Sequence, residues 1–202
     1  MIRVTAPPDS NSPTLAAALE LRQISLPAEQ VERLEEYARL LWEWNDKLNL
    51  TRHTDFDLFA SRDVADCLAL AGPLGEGERV LDVGSGGGVP GVVLAIVRPD
   101  LHVTLCESTA KKARALEDIV KRLRLPAEVR PGRAEELLVD NYFDTLTARA
   151  VASLAKMLTW FAPHWGSFGR LLAIKGPAWV DERHEARQKN LLSGLQLRKL
   201  AS

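Results

Sequence analysis

A glycine-rich loop follows an apolar run in the middle of the chain. The segment Arg79–Gly91 reads R-V-L-D-V-G-S-G-G-G-V-P-G, with Asp82 two positions before the first glycine. Glycine permits positive φ angles and lets a ligand approach the backbone without an intervening Cβ atom. Pro90 stands where it can begin a helix, whose first turn offers free N–H groups. The pattern predicts a strand–loop–helix unit that binds a cofactor through its backbone.

Two cofactor patterns fit this loop. Gly86-x-Gly88-x-x-Gly91 matches the dinucleotide pattern G-x-G-x-x-G, although Gly86 lies two residues later than that fold requires. When the segment begins at Asp82, it reads D-x-G-x-G-x-G through Gly84, Gly86 and Gly88. This second spacing resembles the loop of class I S-adenosylmethionine-dependent methyltransferases.

An acidic residue ends the next predicted strand. Glu107 follows Gly84 by 23 residues, a position from which a carboxylate can accept both hydroxyls of an adenosine ribose. NAD and S-adenosylmethionine both carry that ribose, so Glu107 indicates an adenosine ligand and leaves the chemistry open. The structural alternative is that Glu107 only caps the helix that follows, at Thr109–Leu123.

Side chains for nucleophilic or metal chemistry are sparse. The chain has four histidines, at His53, His102, His164 and His184. They are not spaced like metal ligands, and none shares a sequence neighbourhood with a plausible nucleophile. The two cysteines, Cys67 and Cys106, are too few for a disulfide framework or a structural zinc site. We therefore expect no metal site and no nucleophile–base pair.

The elements that must position the loop change character near residue 72. Residues 1–13 hold three prolines and several small polar residues, which predicts a flexible tail. Helical patterns follow at Thr14–Ser25 and Phe56–Ala71. Between them, apolar residues recur every three or four positions from Val31 to Leu48, as in an amphipathic helix. We predict an N-terminal helical cap over residues 14–72.

From Arg79 onwards, short β-rich runs alternate with helical ones. This alternation predicts an α/β, Rossmann-like domain over residues 73–202, with a mostly parallel sheet covered by helices on both faces. Ligands of such sheets bind at the carboxyl ends of the strands. The predicted strands are Arg79–Val83, Leu101–Glu107, Ala127–Arg130, Phe143–Ala148 and Gly169–Ile174. The predicted helices are Pro90–Val97, Thr109–Leu123, Arg133–Val139 and Ala152–Trp165.

Composition narrows the class of protein. With 202 residues, 46% hydrophobic and 26% charged, the chain is in the globular range. The net charge of −1 divides into −5 over residues 1–70 and +4 over the rest, which neither requires nor excludes a nucleic-acid partner. No apolar run approaches the ~20 residues of a membrane span, and the N-terminus lacks a secretory signal. We expect a cytoplasmic protein without a membrane partner.

A series of motifs in order resembles the bacterial ribosomal RNA small subunit methyltransferase G family, also called the glucose-inhibited division protein B family. The combination of W-N-x-x-x-N-L-T with G-x-G-G-G-x-P-G is specific, and the resemblance covers about residues 36–180. The matching pieces are W-N-D-K-L-N-L-T at Trp44–Thr51, D-V-G-S-G-G-G-V-P-G at Asp82–Gly91, I-V-R-P at Ile96–Pro99, Glu107-Ser108 with Lys111-Lys112, R-A-E-E at Arg133–Glu136, Arg149-Ala150 and A-I-K-G at Ala173–Gly176.

The resemblance implies a class I methyltransferase that transfers a methyl group from S-adenosylmethionine to N7 of one guanine in 16S ribosomal RNA. Guanine N7 carries a lone pair and no proton, so this reaction requires alignment and no general base. The implied cofactor contacts are Gly84, Val89, Ala134, Glu135 and Arg149. We add Gly86 and Gly88 from the loop, and Glu107 from its strand end.

Positive side chains near the strand ends are the candidates for RNA contacts and for positioning the reactants. Arg149 and Lys175 both end predicted strands, and we predict that they position the reactants. The RNA-binding candidates are Arg62, Lys111, Lys112 and Lys175. The implied partner is 16S ribosomal RNA in the small ribosomal subunit or its assembly intermediate, and we expect a monomer.

The sequence departs from the family at two places. Related chains commonly have R-H-x-x-D-S after the N-terminal helices, whereas Arg62–Cys67 reads R-D-V-A-D-C. The anion at Asp63, in place of a histidine, puts local RNA contacts in doubt. Related chains also continue into a final antiparallel strand pair, whereas this one stops at Leu197–Ser202, which predicts a shortened sheet edge.

Two other functions fit parts of the sequence. An NAD(P)-dependent oxidoreductase would use the Gly86–Gly91 pattern and Glu107, but no evident residue pair serves proton transfer. A non-catalytic, cofactor-binding scaffold on the ribosome would agree with the near-neutral charge and with Asp63.

Overall fold

The N-terminal part of the protein is helical. The computed structural model describes residues 12–199, so most of the predicted tail, residues 1–11, lies outside the described residues. The first helical elements are α1 (Leu15–Leu21), α2 (Ala28–Asn45), α3 (Phe56–Leu58), a π-helical turn (Phe59–Val64) and α4 (Ala65–Ala71). The sequence predicts one helix over Phe56–Ala71, and the structure differs by inserting the π-helical turn into it.

A five-stranded parallel sheet forms the rest of the framework. Its strands are β1 (Arg79–Val83), β2 (His102–Glu107), β3 (Ala127–Pro131), β4 (Phe143–Arg149) and β5 (Phe168–Ile174), in the order β3-β2-β1-β4-β5. All five predicted strands are present to within one residue at each end. The order reverses between β1 and β4, and this is where ligands bind in sheets of this kind.

Helices connect the strands and cover both faces of the sheet. They are α5 (Gly91–Val97), α6 (Ala110–Arg122), α7 (Ala134–Asp140), α8 (Leu154–Phe161) with a 3₁₀ turn (Ala162–His164), and α9 (Trp179–Gln188). The sequence pattern predicts no element after β5, so α9 is an addition. Its apolar pattern is weak because Ala186 is its one fully buried residue among those described.

Two hydrophobic clusters lie on opposite faces of the sheet. Successive residues of β1 point in opposite directions, so Val80 belongs to one cluster and Leu81 to the other. The first cluster joins α1, α2, α4, α5 and α6, and the second joins α7, α8 and α9. Because the first cluster runs across residue 72, the helical cap shares its core with the sheet. The division at 72/73 stays a prediction.

The two ends of the described chain are held differently. Ser12 is buried, and its backbone N–H and hydroxyl donate to the Asp57 carboxylate at 2.8 and 2.9 Å. Residues 189–199 form turns and irregular structure after α9.

Within residues 12–199 the sheet has no antiparallel strand pair. None of the helices in that range combines the length and apolar character needed to span a bilayer.

Candidate functional site

The glycine loop lies at the carboxyl end of β1, beside the point where the strand order reverses. Gly84, Gly86 and Gly88 have φ angles of +63°, +57° and +104°, a backbone conformation that residues with a side chain rarely adopt. A Cβ atom on Gly84 would lie 3.1 Å from Val151, and one on Gly88 would lie 2.5 Å from Val92. A Cβ atom on Gly86 would meet only the Gly84 carbonyl, at 3.8 Å. The loop therefore has open space beside Gly86.

The helical cap packs closely against the same loop at Gly87. A Cβ atom there would lie 2.8 Å from the Leu41 side chain and 3.2 Å from the Leu50 carbonyl. The Tyr37 hydroxyl donates to the Gly87 carbonyl at 2.9 Å, and burial raises the pKa of this phenol, so it stays protonated. The Asn45 side-chain oxygen accepts from the N–H groups of Leu50 and Thr51. The W-N-x-x-x-N-L-T motif thus fixes a turn against the loop.

Asp82 organises the loop from inside the fold. Its carboxylate is fully buried, accepts from the Thr147 hydroxyl at 2.8 Å and accepts from the Gly91 N–H at 3.2 Å. Burial raises the pKa of Asp82 to about 6, although these hydrogen bonds lower it. Asp82 therefore connects β1 to β4 and to the start of α5, and its oxygens face protein groups.

Glu107 reaches the loop from the neighbouring strand. Its carboxylate is buried, accepts from the Gly86 N–H at 2.9 Å and accepts from the Thr109 N–H at 2.7 Å. The second bond shows that Glu107 does cap the segment leading into α6, as the structural alternative expected. The first bond places the carboxylate against the glycine loop. Each carboxylate oxygen can accept a further hydrogen bond, so both roles are compatible.

The start of α7 stands beside this pair. Ala134 is buried, Glu135 is partly buried and pairs with Arg133 at 2.7 Å, and both lie at the carboxyl end of β3. The Gly132 N–H donates to the Glu107 backbone carbonyl at 3.0 Å, which holds this turn against β2. The structure therefore brings the R-A-E-E segment to the same edge as Glu107.

Arg149 ends β4 next to the loop, and its guanidinium pairs with the cap. Nη1 lies 2.5 Å from Oδ1 of Asp63, whose other oxygen lies 2.9 Å from Nδ1 of His53. Asp63 is 2% exposed. This carboxylate is therefore buried between two positively chargeable side chains, and the effect of the departure at Asp63 on RNA contacts stays a prediction.

Lys175 follows β5 and is also paired. Nζ donates to the Ala152 carbonyl at 2.7 Å and lies 2.6 Å from a carboxylate oxygen of Glu182 on α9. The same Glu182 oxygen accepts from the Leu154 N–H, at the start of α8. Lys175 thus joins the end of β5 to α8 and α9, and its predicted roles toward RNA and the reactants stay predictions.

The remaining RNA-binding candidates lie on the surface. Arg62, on the π-helical turn, and Lys111, in the first turn of α6, are exposed, whereas Lys112 is half-buried. The first turn of α6 lies at the carboxyl end of β2, because the helix begins three residues beyond Glu107. Lys111 and Lys112 therefore lie at the same edge of the sheet as the glycine loop.

The donor set at this edge fits the cofactor S-adenosylmethionine. The open space beside Gly86 admits a ligand, and the Glu107 carboxylate suits ribose hydroxyls. Half-buried Val89 supplies apolar surface next to the loop. Two contacts were not predicted from the sequence: the pair between Asp63 and Arg149, 86 positions apart, and the packing of Val151 on Gly84. No local signal indicates either contact.

Comparisons with known proteins agree with the motifs. The family model described as rRNA small subunit methyltransferase G (GidB) matches residues 30–202. The ribosomal RNA small subunit methyltransferase G of Rhodopirellula baltica is 53% identical over 169 residues, which cover 84% of this chain and 73% of that protein. The protein of the same name from Shigella flexneri is 38% identical over 169 residues, which cover 83% and 81%.

Solved structures share the fold. A precorrin-6y C5,15-methyltransferase from Geobacter metallireducens superposes with a TM-score of 0.52 at 11% identity, covering 72% of this chain and 78% of that one. A mutant of MtNAS in complex with S-adenosylmethionine gives 0.51 at 19%, covering 79% and 66%. These likenesses confirm the predicted Rossmann-like fold. From the family model and the relatives together, the chain belongs to the rRNA small subunit methyltransferase G family.

Proposed function

We propose that this protein transfers the methyl group of S-adenosylmethionine to N7 of a specific guanine in 16S ribosomal RNA. The observation that carries the proposal is the bond between the Glu107 carboxylate and the Gly86 N–H. It brings a buried carboxylate, of the kind that can accept from ribose hydroxyls, to an open glycine loop where the strand order reverses. Family membership supplies the reaction class and the substrate class.

The cofactor-binding residues come from the ends of four neighbouring strands, β1 to β4. Glu107 accepts from the ribose hydroxyls, and the loop backbone at Gly84, Gly86 and Gly88 lets the ligand approach closely. The remaining cofactor contacts that the family motifs imply are Val89, Ala134, Glu135 and Arg149. S-adenosylmethionine, when bound, supplies an electrophilic methyl group on a positively charged sulfur.

The chemistry requires alignment more than proton transfer. The N7 lone pair of guanine forms the new N–C bond, the electron pair of the broken C–S bond stays on sulfur, and the positive charge moves to the base. No proton leaves N7, so no general base is needed at this atom. The protein contributes by excluding water, orienting the reactants and accommodating charge on the base.

Phosphate contacts hold the RNA beside the loop. Lys111 and Lys112 present positive charge at the edge of the sheet that carries the glycine loop, and Arg62 is exposed on the π-helical turn. Lys175 is a further candidate, although Glu182 already neutralises its ammonium group in this structure. We propose 16S ribosomal RNA in the small subunit or its assembly intermediate as the partner, with a cytoplasmic monomer as the active form.

The test uses labelled S-adenosylmethionine and small ribosomal subunits from a strain that lacks this modification. We expect transfer to one nucleoside, which mass spectrometry identifies as N7-methylguanosine. Cofactor binding without transfer would favour the non-catalytic scaffold instead. The NAD(P)-dependent oxidoreductase is not favoured, because the family match covers the glycine loop; reduction of a substrate by NADPH would reverse that judgement.

A further inference from the structure

A buried ion-pair cluster connects the cap to the candidate active site, and the function above does not use all of it. Asp63 on the π-helical turn stands between Arg149 at the end of β4 and His53 in the loop after α2. Asp63 is almost fully buried, whereas the side chains of Arg149 and His53 are 19% and 23% exposed. The carboxylate therefore faces inward, and its two partners lie nearer the surface.

Both partners of Asp63 are held by backbone contacts near the loop. The Trp42 indole N–H donates to the His53 carbonyl at 2.7 Å, and the His53 N–H donates to the Thr51 hydroxyl at 3.0 Å. On the other side, Val83 pairs with Ala148, so Arg149 continues β4 beside the first loop glycine. Asp63 thus joins two segments that each contact the glycine loop.

The backbone departs from regular geometry on both sides of the cluster. Asp63 lies in a π-helical turn, a rare conformation that is frequent at functional sites. Ala150, directly after Arg149, has a φ of +54°, which is uncommon and strained for a residue with a Cβ atom. Two local distortions with one ion pair between them indicate that the placement of Arg149 is under specific control.

Charge gives this placement a role in the reaction. During transfer, positive charge moves from sulfur to the guanine base, and an uncompensated guanidinium that lies closer to the base than to the sulfur would oppose this movement. The Asp63 carboxylate balances the charge of Arg149 at a separation of 2.5 Å. The balanced pair can contact donor or base through the remaining N–H groups of the guanidinium without adding net charge.

We infer that Asp63 is a positioning residue for methyl transfer, which fixes the Arg149 guanidinium beside the cofactor loop and balances its charge. The inference rests on the proposed function and deepens it. Asp63 acts through Arg149, so its effect on the rate should disappear when Arg149 is replaced.

A double-mutant cycle on kcat tests this dependence. We expect Asp63→Asn to lower kcat for rRNA methylation by about tenfold, roughly 1.4 kcal/mol in the barrier. In an Arg149→Gln background, the same change should alter kcat by less than about twofold. Asp63→Glu keeps the charge and displaces the carboxylate, so it should lower kcat in the wild-type background and not in the Arg149→Gln background.

Two controls separate positioning from stability. Asp57→Asn removes another buried carboxylate of the same segment, one that accepts from Ser12, and should lower the melting temperature without a loss of kcat. His53→Gln leaves the pair between Asp63 and Arg149 in place and should change kcat by less than about threefold. If Asp63→Asn does not fold, the double-mutant cycle on kcat is measured with Asp63→Glu in its place.

Equal effects of the Asp63 variants with and without Arg149, measured with an active wild-type enzyme, would overturn this inference alone. If the wild-type chain transfers no methyl group in the same assay, the proposed function fails, and the inference fails with it.

Discussion

The two halves of the sheet's carboxyl edge carry different chemical groups. At β1 and β2 the edge offers glycine backbone and the Glu107 carboxylate, with open space beside Gly86. At β4 and β5 it carries two cations, Arg149 and Lys175, and each is neutralised by a carboxylate from a flanking helical segment. We propose that the half at β1 and β2 receives the ligand. The half at β4 and β5 joins neighbouring segments to the sheet, and Arg149, next to the glycine loop, is in addition a proposed cofactor contact.

This difference shows that residue type at a strand end does not by itself distinguish binding from structure. Arg149 and Lys175 look equivalent in the sequence, since each is a cation that ends a strand. The structure gives Arg149 a partner in the cap, next to the glycine loop, and gives Lys175 a partner in α9. The flanking segment that supplies the carboxylate therefore distinguishes the two cations.

The largest expected effect is the loss of cofactor affinity when a side chain blocks the ligand-receiving half. Gly86→Asp places a second carboxylate beside Glu107 and fills the open space, so we expect affinity for S-adenosylmethionine to fall by about 100-fold or more, roughly 2.7 kcal/mol. Calorimetric titration measures this loss. Gly194→Asp is the matched control, because Gly194 also has positive φ (+75°) and a Cβ there meets nothing within 4 Å. Equal affinity losses in both variants would contradict the placement of the cofactor.

The buried acid beneath the loop should make stability depend on pH. Asp82 has a pKa raised to about 6 in the folded protein, against about 3.9 in an unfolded chain. The folded state therefore binds the proton more tightly, and this contribution to stability is present below about pH 4 and lost as pH rises through about 6.

The variant Asp82→Asn removes this titration. The wild-type advantage in unfolding free energy over Asp82→Asn should shrink by about 2 kcal/mol between pH 4.5 and 7. Urea unfolding at the two pH values measures it. A difference between the two proteins that stays constant with pH would exclude a raised pKa at Asp82.

Substitutions in the segment-joining half should lower the stability of the fold. Lys175→Met removes a largely buried partner of Glu182, and we expect the unfolding free energy to fall by about 1–2 kcal/mol, below the cost for a fully buried pair. Lys189→Met breaks an exposed pair between the residue directly after α9 and Glu185 on that helix, and it should cost less than about 0.5 kcal/mol. Similar losses in both variants would show that the Lys175 pair is no stronger than a surface pair.

The smallest effect is expected at the rim of the ligand-receiving half. Lys111→Ala and Lys112→Ala should each weaken rRNA binding by about threefold and reduce the slope of log affinity against log salt by about 0.7–0.9. Binding titrations at several salt concentrations measure both quantities, with Lys189→Ala, directly after α9, as the control. An unchanged slope would remove these lysines from the RNA contacts.

Much of the fold and part of the site followed from local patterns. The five strands and the glycine loop were predicted because alternation of apolar residues and glycine spacing are properties of short segments. Glu107 was predicted because a fixed distance separates it from the loop in a strand–helix–strand unit. The helix α9 was missed because little of it is buried, so its apolar period is weak.

The sequence by itself determined the family, the parallel sheet, and the loop with its acidic partner, since motifs and periodicity encode these within a few tens of residues. Only the tertiary structure decided that Asp63 is an internal partner of Arg149 and that Lys175 holds α9. Each of these pairs depends on how a helical segment packs against the end of a strand. Such packing is set by the whole core, and no short stretch of sequence contains it.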